Sequence, residues 1–152
     1  MIKDHEHYMR LAIKEAINAG ERGEVPIGAI LVINEQIISK SSNQVELLKD
    51  STAHAEIIAL TGAYATLGAK YLPDATLYVT IEPCIMCAGA LFWGKIGTVV
   101  FGAHDEKNGY SRFDKQSGNH KISPLHPKTT VISGVCKEEC LSLIQNFFRN
   151  KR

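Results

Sequence analysis

Apolar residues recur at helical spacing over residues 7–19, where Met9, Ala12, Ile13, Ala16 and Ile17 share one face, and Gly20 is the expected stop. The period then changes. Pro26-Ile27-Gly28 leads into the unbroken run Ala29-Ile30-Leu31-Val32-Ile33, and Gln36-Ile37-Ile38-Ser39-Lys40 returns after the polar pair Asn34-Glu35. Two short apolar runs joined by a two-residue turn predict a hairpin. Residues 41–51 are mostly polar and read as a loop. Thr52 is placed to cap a helix with its body over 56–67, burying Ile57, Ile58, Leu60 and Ala63 and ending at Gly68.

Thr76-Leu77-Tyr78-Val79-Thr80-Ile81 predicts a third strand. Pro83 suits the first turn of a following helix that carries Cys84, Cys87, Ala88, Ala90 and Leu91. Residues 98–101 and 129–133 predict two further strands, and 137–149 a last helix with Leu141, Leu143, Ile144, Phe147 and Phe148. Strand–helix–strand order requires parallel crossovers beside the opening antiparallel hairpin. The fold class expected is therefore α/β, with helices on a mixed five-stranded sheet. The polar stretch 102–128 is too long for an ordinary connector and points to a functional or mobile loop. With no repeat and no linker in 152 residues, one domain over 1–152 is expected.

Composition adds little. Hydrophobic content of 45% and charged content of 22% suit a globular protein, and a formal net charge of +1 advertises no polyanion partner. A local basic stripe stays compatible with that charge. No apolar run approaches the roughly 20 residues that span a bilayer, and the first residues lack the apolar core of a secretory signal. Four cysteines without an export signal read as metal ligands or free thiols, and the cytoplasm is the expected compartment.

The chemistry is concentrated in His54-Ala55-Glu56 and Pro83-Cys84-Ile85-Met86-Cys87. One imidazole and two thiolates are three ligands for Zn2+, one short of the closed tetrahedron of structural sites, so the fourth position is left to water. Both sets fall at expected helix starts, whose partial positive charge favours thiolates. Glu56, itself not a ligand, is placed to move the protons of a metal-activated water. Hydroxide attack on an amino-substituted aromatic carbon with loss of ammonia is a deamination. His-x-Glu with Pro-Cys-x-x-Cys is a known signature of zinc nucleobase deaminases.

Beyond that core, Gly23-Glu24-Val25-Pro26-Ile27-Gly28-Ala29, Thr52-Ala53-His54-Ala55-Glu56, the stretch from Leu77 to Ala90, Phe101-Gly102-Ala103 and Phe147-Phe148-Arg149 resemble the bacterial tRNA adenosine deaminases of the cytidine-deaminase superfamily. The resemblance runs over nearly the whole chain. It implies a three-layer α/β/α cytidine-deaminase-like fold with helices on both sheet faces, and a homodimer that converts the wobble adenosine of tRNA to inosine. The anticodon stem-loop would be the partner, with the target base flipped into the pocket. By the same resemblance Asn43 would hydrogen-bond the base, Asp105 would lie near the ribose, and Val25 and Ile27 would wall the pocket. Backbone amides near Ala55 and Cys84 would polarise the substrate, and Phe147, Phe148 and Arg149 would touch the anticodon stem. The chain departs from the family at Lys107-Asn108-Gly109-Tyr110, in Ser41-Ser42 before Asn43, and in residues 114–123.

Other residues have plainer readings. Glu82 is expected to be a hydrogen-bonding scaffold, Cys136 and Cys140 core thiols, and Met86 and Trp93 core or dimer-surface residues. Ile85, Met86, Leu91, Phe92 and Trp93 form the expected dimer surface. His104 lies beside Asp105, and the other histidines outside the ligand set read as solvated. The cations of the long loop are ordinary surface charges or line an RNA path, and Arg149, Lys151 and Arg152 follow the aromatic pair. Two rival functions stay open: a deaminase of a free base or nucleoside, such as guanine or cytosine, and a zinc-stabilised RNA-binding module without turnover.

Overall fold

A computed structural model describes residues 3–151; Met1, Ile2 and Arg152 lie outside the described residues. The first helix, α1, spans His5–Glu21, with the Asp4 side chain accepting the His7 N–H. It runs past Gly20. The stop is Gly23, at φ +83, where the Arg22, Gly23 and Glu24 N–H groups close on the carbonyls of Ala19 and Gly20. Strands β1 (Gly28–Ile33) and β2 (Gln36–Ser42) form the hairpin, turning at Asn34 and Glu35, both at positive φ.

The expected loop after β2 contains a short helix, α2 (Val45–Leu48). Its own N-cap residue, Gln44, supplies no side-chain bond. The buried Glu24 carboxylate accepts the Glu46 and Leu47 N–H groups instead, at 3.0 and 2.8 Å. The remaining elements are α3 (Ala55–Leu67), β3 (Thr76–Ile81), α4 (Ile85–Trp93), β4 (Thr98–Ala103), β5 (Lys115–Ser117), β6 (His120–Ile122), β7 (Thr130–Ser133) and α5 (Lys137–Asn150). The long polar stretch is thus built: a 3-10 turn at Tyr110–Phe113 leads into the exposed β5–β6 hairpin, which accounts for the unmatched residues 114–123.

Sheet order is β2-β1-β3-β4-β7, antiparallel on both sides of β1 and parallel from β3 through β4 to β7. Alternation along the central strands separates two cores. Ala29, Leu31, Leu77, Val79, Val99 and Phe101 pack with α3 and α4, while Ile30, Val32, Tyr78 and Val100 pack with α1 and with Cys140 of α5. The layers are α/β/α, as expected. Burying a Leu, Val or Phe side chain stabilises by about 1.5–3 kcal/mol, so these strands anchor the domain.

Helix α3 meets the sheet through Ala55, Ala59 and Ala63, one turn apart and fully buried. That small-residue stripe turns Ile57 and Ile58 aside, and they are only half-buried, contrary to expectation; Leu60 and Ala63 are buried as expected. Among the described residues no helix is long and apolar enough to cross a membrane.

Candidate metal centre and active site

The site forms where two helices begin. His54 is the N-cap residue of α3 in extended backbone, and Cys84 occupies the same position before α4. Neither side chain caps its own helix, which leaves both donor groups free for other partners. Thr52 does not cap α3 either; its hydroxyl donates to Asp50 Oδ1 at 2.7 Å. The cap comes from the end of β2. Asn43 Oδ1 accepts the Ala55 N–H at 2.9 Å, and the Ser41 hydroxyl donates to the Ala55 carbonyl. Pro83 lies just before the N-cap rather than in the first turn of α4, where its fixed φ suits the extended entry.

These starts bring the ligand candidates together. Cys84 Sγ and Cys87 Sγ lie 3.6 and 3.5 Å from His54 Nδ1, and all three donor atoms fall within 4.8 Å of one another. A tetrahedral zinc with Zn–S of about 2.3 Å and Zn–N of about 2.05 Å requires an S···N edge of about 3.6 Å. The donor set therefore fits such an ion. Charge agrees with geometry. The Cys87 thiol and then His54 pull Cys84 down to about 4 despite its burial, whereas Cys84 and burial push Cys87 up. The two sulfurs hold one proton between them, and a divalent cation can replace it.

Glu56 is buried beside Cys87, one residue into α3. Burial pushes its carboxyl up to about 7, against the opposing pull of its own N–H and of His54. A carboxyl at that value both accepts and returns protons at neutral pH. Two cavities lie elsewhere. One of about 370 Å³ is lined by Pro73, Lys95, Ile96, Gly97, His126 and Lys128, and one of about 500 Å³ by residues of the α5 start. Donor geometry, not enclosed volume, marks this centre.

The other expected site residues divide. Asn43 is buried at the α3 start, with its carbonyl oxygen committed to Ala55, so its amide nitrogen is the atom left for a ligand. The Ala55 N–H is correspondingly engaged by Asn43. Val25 and Ile27 are half-buried just ahead of β1. Asp105 is half-buried too, but its carboxylate turns onto its own loop, accepting the Lys107 and Asn108 N–H groups at 3.1 and 3.0 Å. Phe147, Phe148 and Arg149 are not brought to the centre. They sit on α5, in the opposite layer, with Phe148 exposed and Lys151 Nζ 4.7 Å from the Phe147 ring centroid.

Sequence reasoning placed Glu82 as a scaffold, and it is one. Its buried carboxylate faces His104 and accepts the Asp105 and Ser111 N–H groups. Burial alone would raise its carboxyl, yet the bonds from Ser111, His104 and Asp105 outweigh it and hold the group below its ordinary value. Ser41, Glu24 and Tyr110 were not anticipated. Ser41 belongs to β2, which runs two residues beyond Lys40. Cys140 is a buried free thiol and Cys136 a half-buried one, as expected.

The Asn43 cap is testable. Asn43→Ala leaves the Ala55 N–H without its acceptor and is expected to destabilise the domain by about 1–3 kcal/mol in urea unfolding. An unchanged midpoint would show that Asn43 does not hold the start of α3.

The sequence of the chain matches the family model described as MafB19-like deaminase over residues 3–152. The tRNA-specific adenosine deaminase of Bacillus subtilis (strain 168) is 46% identical over 152 residues, covering 97% of this chain and 90% of that protein. The structure from a study of A-to-I editing by tRNA:A34 deaminases at the wobble position superimposes with a TM-score of 0.80 at 42% identity, covering 90% of this chain and 98% of that one. The guanine deaminase of Bacillus subtilis follows at a TM-score of 0.67 and 32% identity, covering 80% and 83%.

Proposed function

The chain belongs to the tRNA-specific adenosine deaminase family, and we propose that it converts adenosine to inosine by hydrolysis at the wobble position of tRNA. The observation that carries the mechanism is Glu56, buried beside a three-donor metal set at two converging helix starts. His54, Cys84 and Cys87 are the residues that would hold Zn2+. When bound, zinc supplies the Lewis acidity that makes water a nucleophile near neutral pH.

The chain's own residues handle the rest. Glu56 takes one proton of the attacking water and passes it to the adenine ring nitrogen next to C6, then carries the remaining proton of the hydroxyl now on C6 to the departing amine. Water adds, ammonia leaves, and inosine remains. The Asn43 amide nitrogen recognises the base, while Val25 and Ile27 wall its faces. Asp105 lies toward the ribose, and the Phe147, Phe148 and Arg149 surface meets the stem. The partner is the anticodon stem-loop, with the target nucleotide flipped out of its stack. Four free cysteines fit a reducing cytoplasm.

A homodimer completes the reading. Trp93 at the end of α4 is 76% exposed and Ile85 at its start is also exposed, with Phe92 half-buried at 5.6 Å from the Trp93 ring. Leu91 is buried in the domain core and leaves the expected dimer surface; Trp93 is not a core residue. A mass of two chains is expected in solution, and a monomer at micromolar concentration would contradict the dimer.

The likeness to the guanine deaminase keeps one alternative concrete. Purified protein is expected to form inosine in unmodified tRNA, read by mass spectrometry of the digested nucleosides. Ammonia release from guanine with no inosine in tRNA would establish the alternative instead.

A further inference from the structure

Glu82 stands two residues before the ligand Cys84, and its buried carboxylate takes its side-chain hydrogen bonds from a single loop. A buried carboxylate is unfavourable unless donors surround it. Oε1 lies 3.1 Å from His104 Nδ1 and accepts the Asp105 N–H at 3.2 Å, while Oε2 accepts the Ser111 N–H at 2.9 Å. Both ends of the loop over 104–111 therefore converge on one side chain.

The middle of the loop is seated by contact. Gly109 approaches so closely that a Cβ there would collide with the Glu82 carboxyl carbon and stand 2.5 Å from the Asp105 carbonyl oxygen. Gly109 also pairs with Cys84 in an isolated antiparallel bridge, and the Tyr110 N–H donates to the Pro83 carbonyl at 2.9 Å. The loop is thus fastened across the stretch that carries a metal ligand. Residues 104–108 bury no apolar side chain, so polar bonds hold them.

We infer that Glu82 is a positioning residue whose carboxylate clasps the loop over 104–111 as the rim of the substrate opening beside Cys84, and so governs substrate binding rather than proton transfer. The substrate in this inference rests on the deaminase reading proposed above; the clasp rests on the geometry of the loop.

Glu82→Gln presents an amide N–H2 where a carboxylate oxygen accepted an N–H, which releases one end of the loop. The variant is expected to keep its full complement of zinc and to lose hydrogen-exchange protection at the amides of Asp105, Gly109, Tyr110 and Ser111. KM for an anticodon stem-loop RNA is expected to rise about tenfold or more, with kcat within about threefold of wild type. Gly109→Ala pushes the loop off the carboxylate from the other side with the charge intact, and should give the same KM signature; it carries the test alone if Glu82→Gln does not fold. Unchanged KM and protection would overturn the inference. Loss of zinc, or a fall in kcat without a rise in KM, would overturn it as well. If the wild-type protein forms no inosine in RNA, the deaminase reading fails, and the exchange pattern still decides the clasp.

Discussion

Glu56→Gln is expected to lower kcat for adenosine deamination by about a hundred- to ten-thousandfold while zinc stays bound. The physical case rests on separation of roles. The carboxylate is outside the three-donor set, one residue into α3, so its loss leaves His54, Cys84 and Cys87 in place. Glutamine keeps the shape of the buried side chain but neither accepts nor returns a proton at neutral pH. Burial is what makes the native group suitable, raising its carboxyl to about 7, where both proton states are populated. Metal analysis and single-turnover kinetics on tRNA make the comparison. Activity within tenfold of wild type would remove Glu56 from the chemistry, and it would favour a bound-water mechanism that needs no side-chain base. The same variant excludes the RNA-binding module, since a protein without turnover has no rate to lose.

Cys84→Ala is expected to abolish both metal retention and activity. Two donors remain after the substitution, too few to hold zinc against a chelator, and without the metal no nucleophile forms at neutral pH. Stability falls too. A ligand present at a thousandfold its Kd stabilises the fold by about 4 kcal/mol, and that linkage is lost with the site. The pH dependence has a fixed sign. Cys84 and Cys87 share a proton that the metal must displace, and His54 is raised by its thiolate neighbour and must also be neutral to bind. Zinc affinity of the native protein is therefore expected to rise with pH, by about tenfold per unit for each proton released. Chelator competition at pH 6 and pH 8 measures it. An affinity that is flat or falls with pH would mean that these thiols are not the ligands.

The ligand triad was legible because its spacing is local. Two residues between Cys84 and Cys87 make one helical turn, and His54 and Glu56 are separated by one residue at a helix start. The α/β class was legible for a similar reason, since strand and helix periods are written in consecutive residues. The helix caps were not. Thr52 has the right chemistry for a cap and the right place in the sequence, yet the bond to the Ala55 N–H comes from Asn43, twelve residues earlier. Glu24 caps α2 across a longer gap, 22 and 23 residues. A cap supplied from another element leaves no local signature.

Part of the expected face of α3, Ile57 and Ile58, failed for a related reason. Hydrophobicity favoured Ile57 and Ile58, but close approach to the sheet favours the small stripe Ala55, Ala59 and Ala63. Leu91 was likewise assigned to a surface by its apolar neighbours and is buried by its side of α4. The aromatic pair near the C-terminus was readable as core or as surface; packing left Phe148 exposed.

The sequence by itself determined the donor types of the candidate metal set and the carboxylate placed beside them, because those depend on side-chain chemistry at short spacing. The tertiary structure alone decided that His54 and the two sulfurs, thirty and more residues apart, meet at 3.5–3.6 Å. It also decided that Glu56 is desolvated beside them, and that Glu82 ties the loop over 104–111 to the ligand stretch. Those facts depend on two helix starts converging at one end of a mixed sheet, and convergence is set by how layers pack rather than by any neighbouring residue.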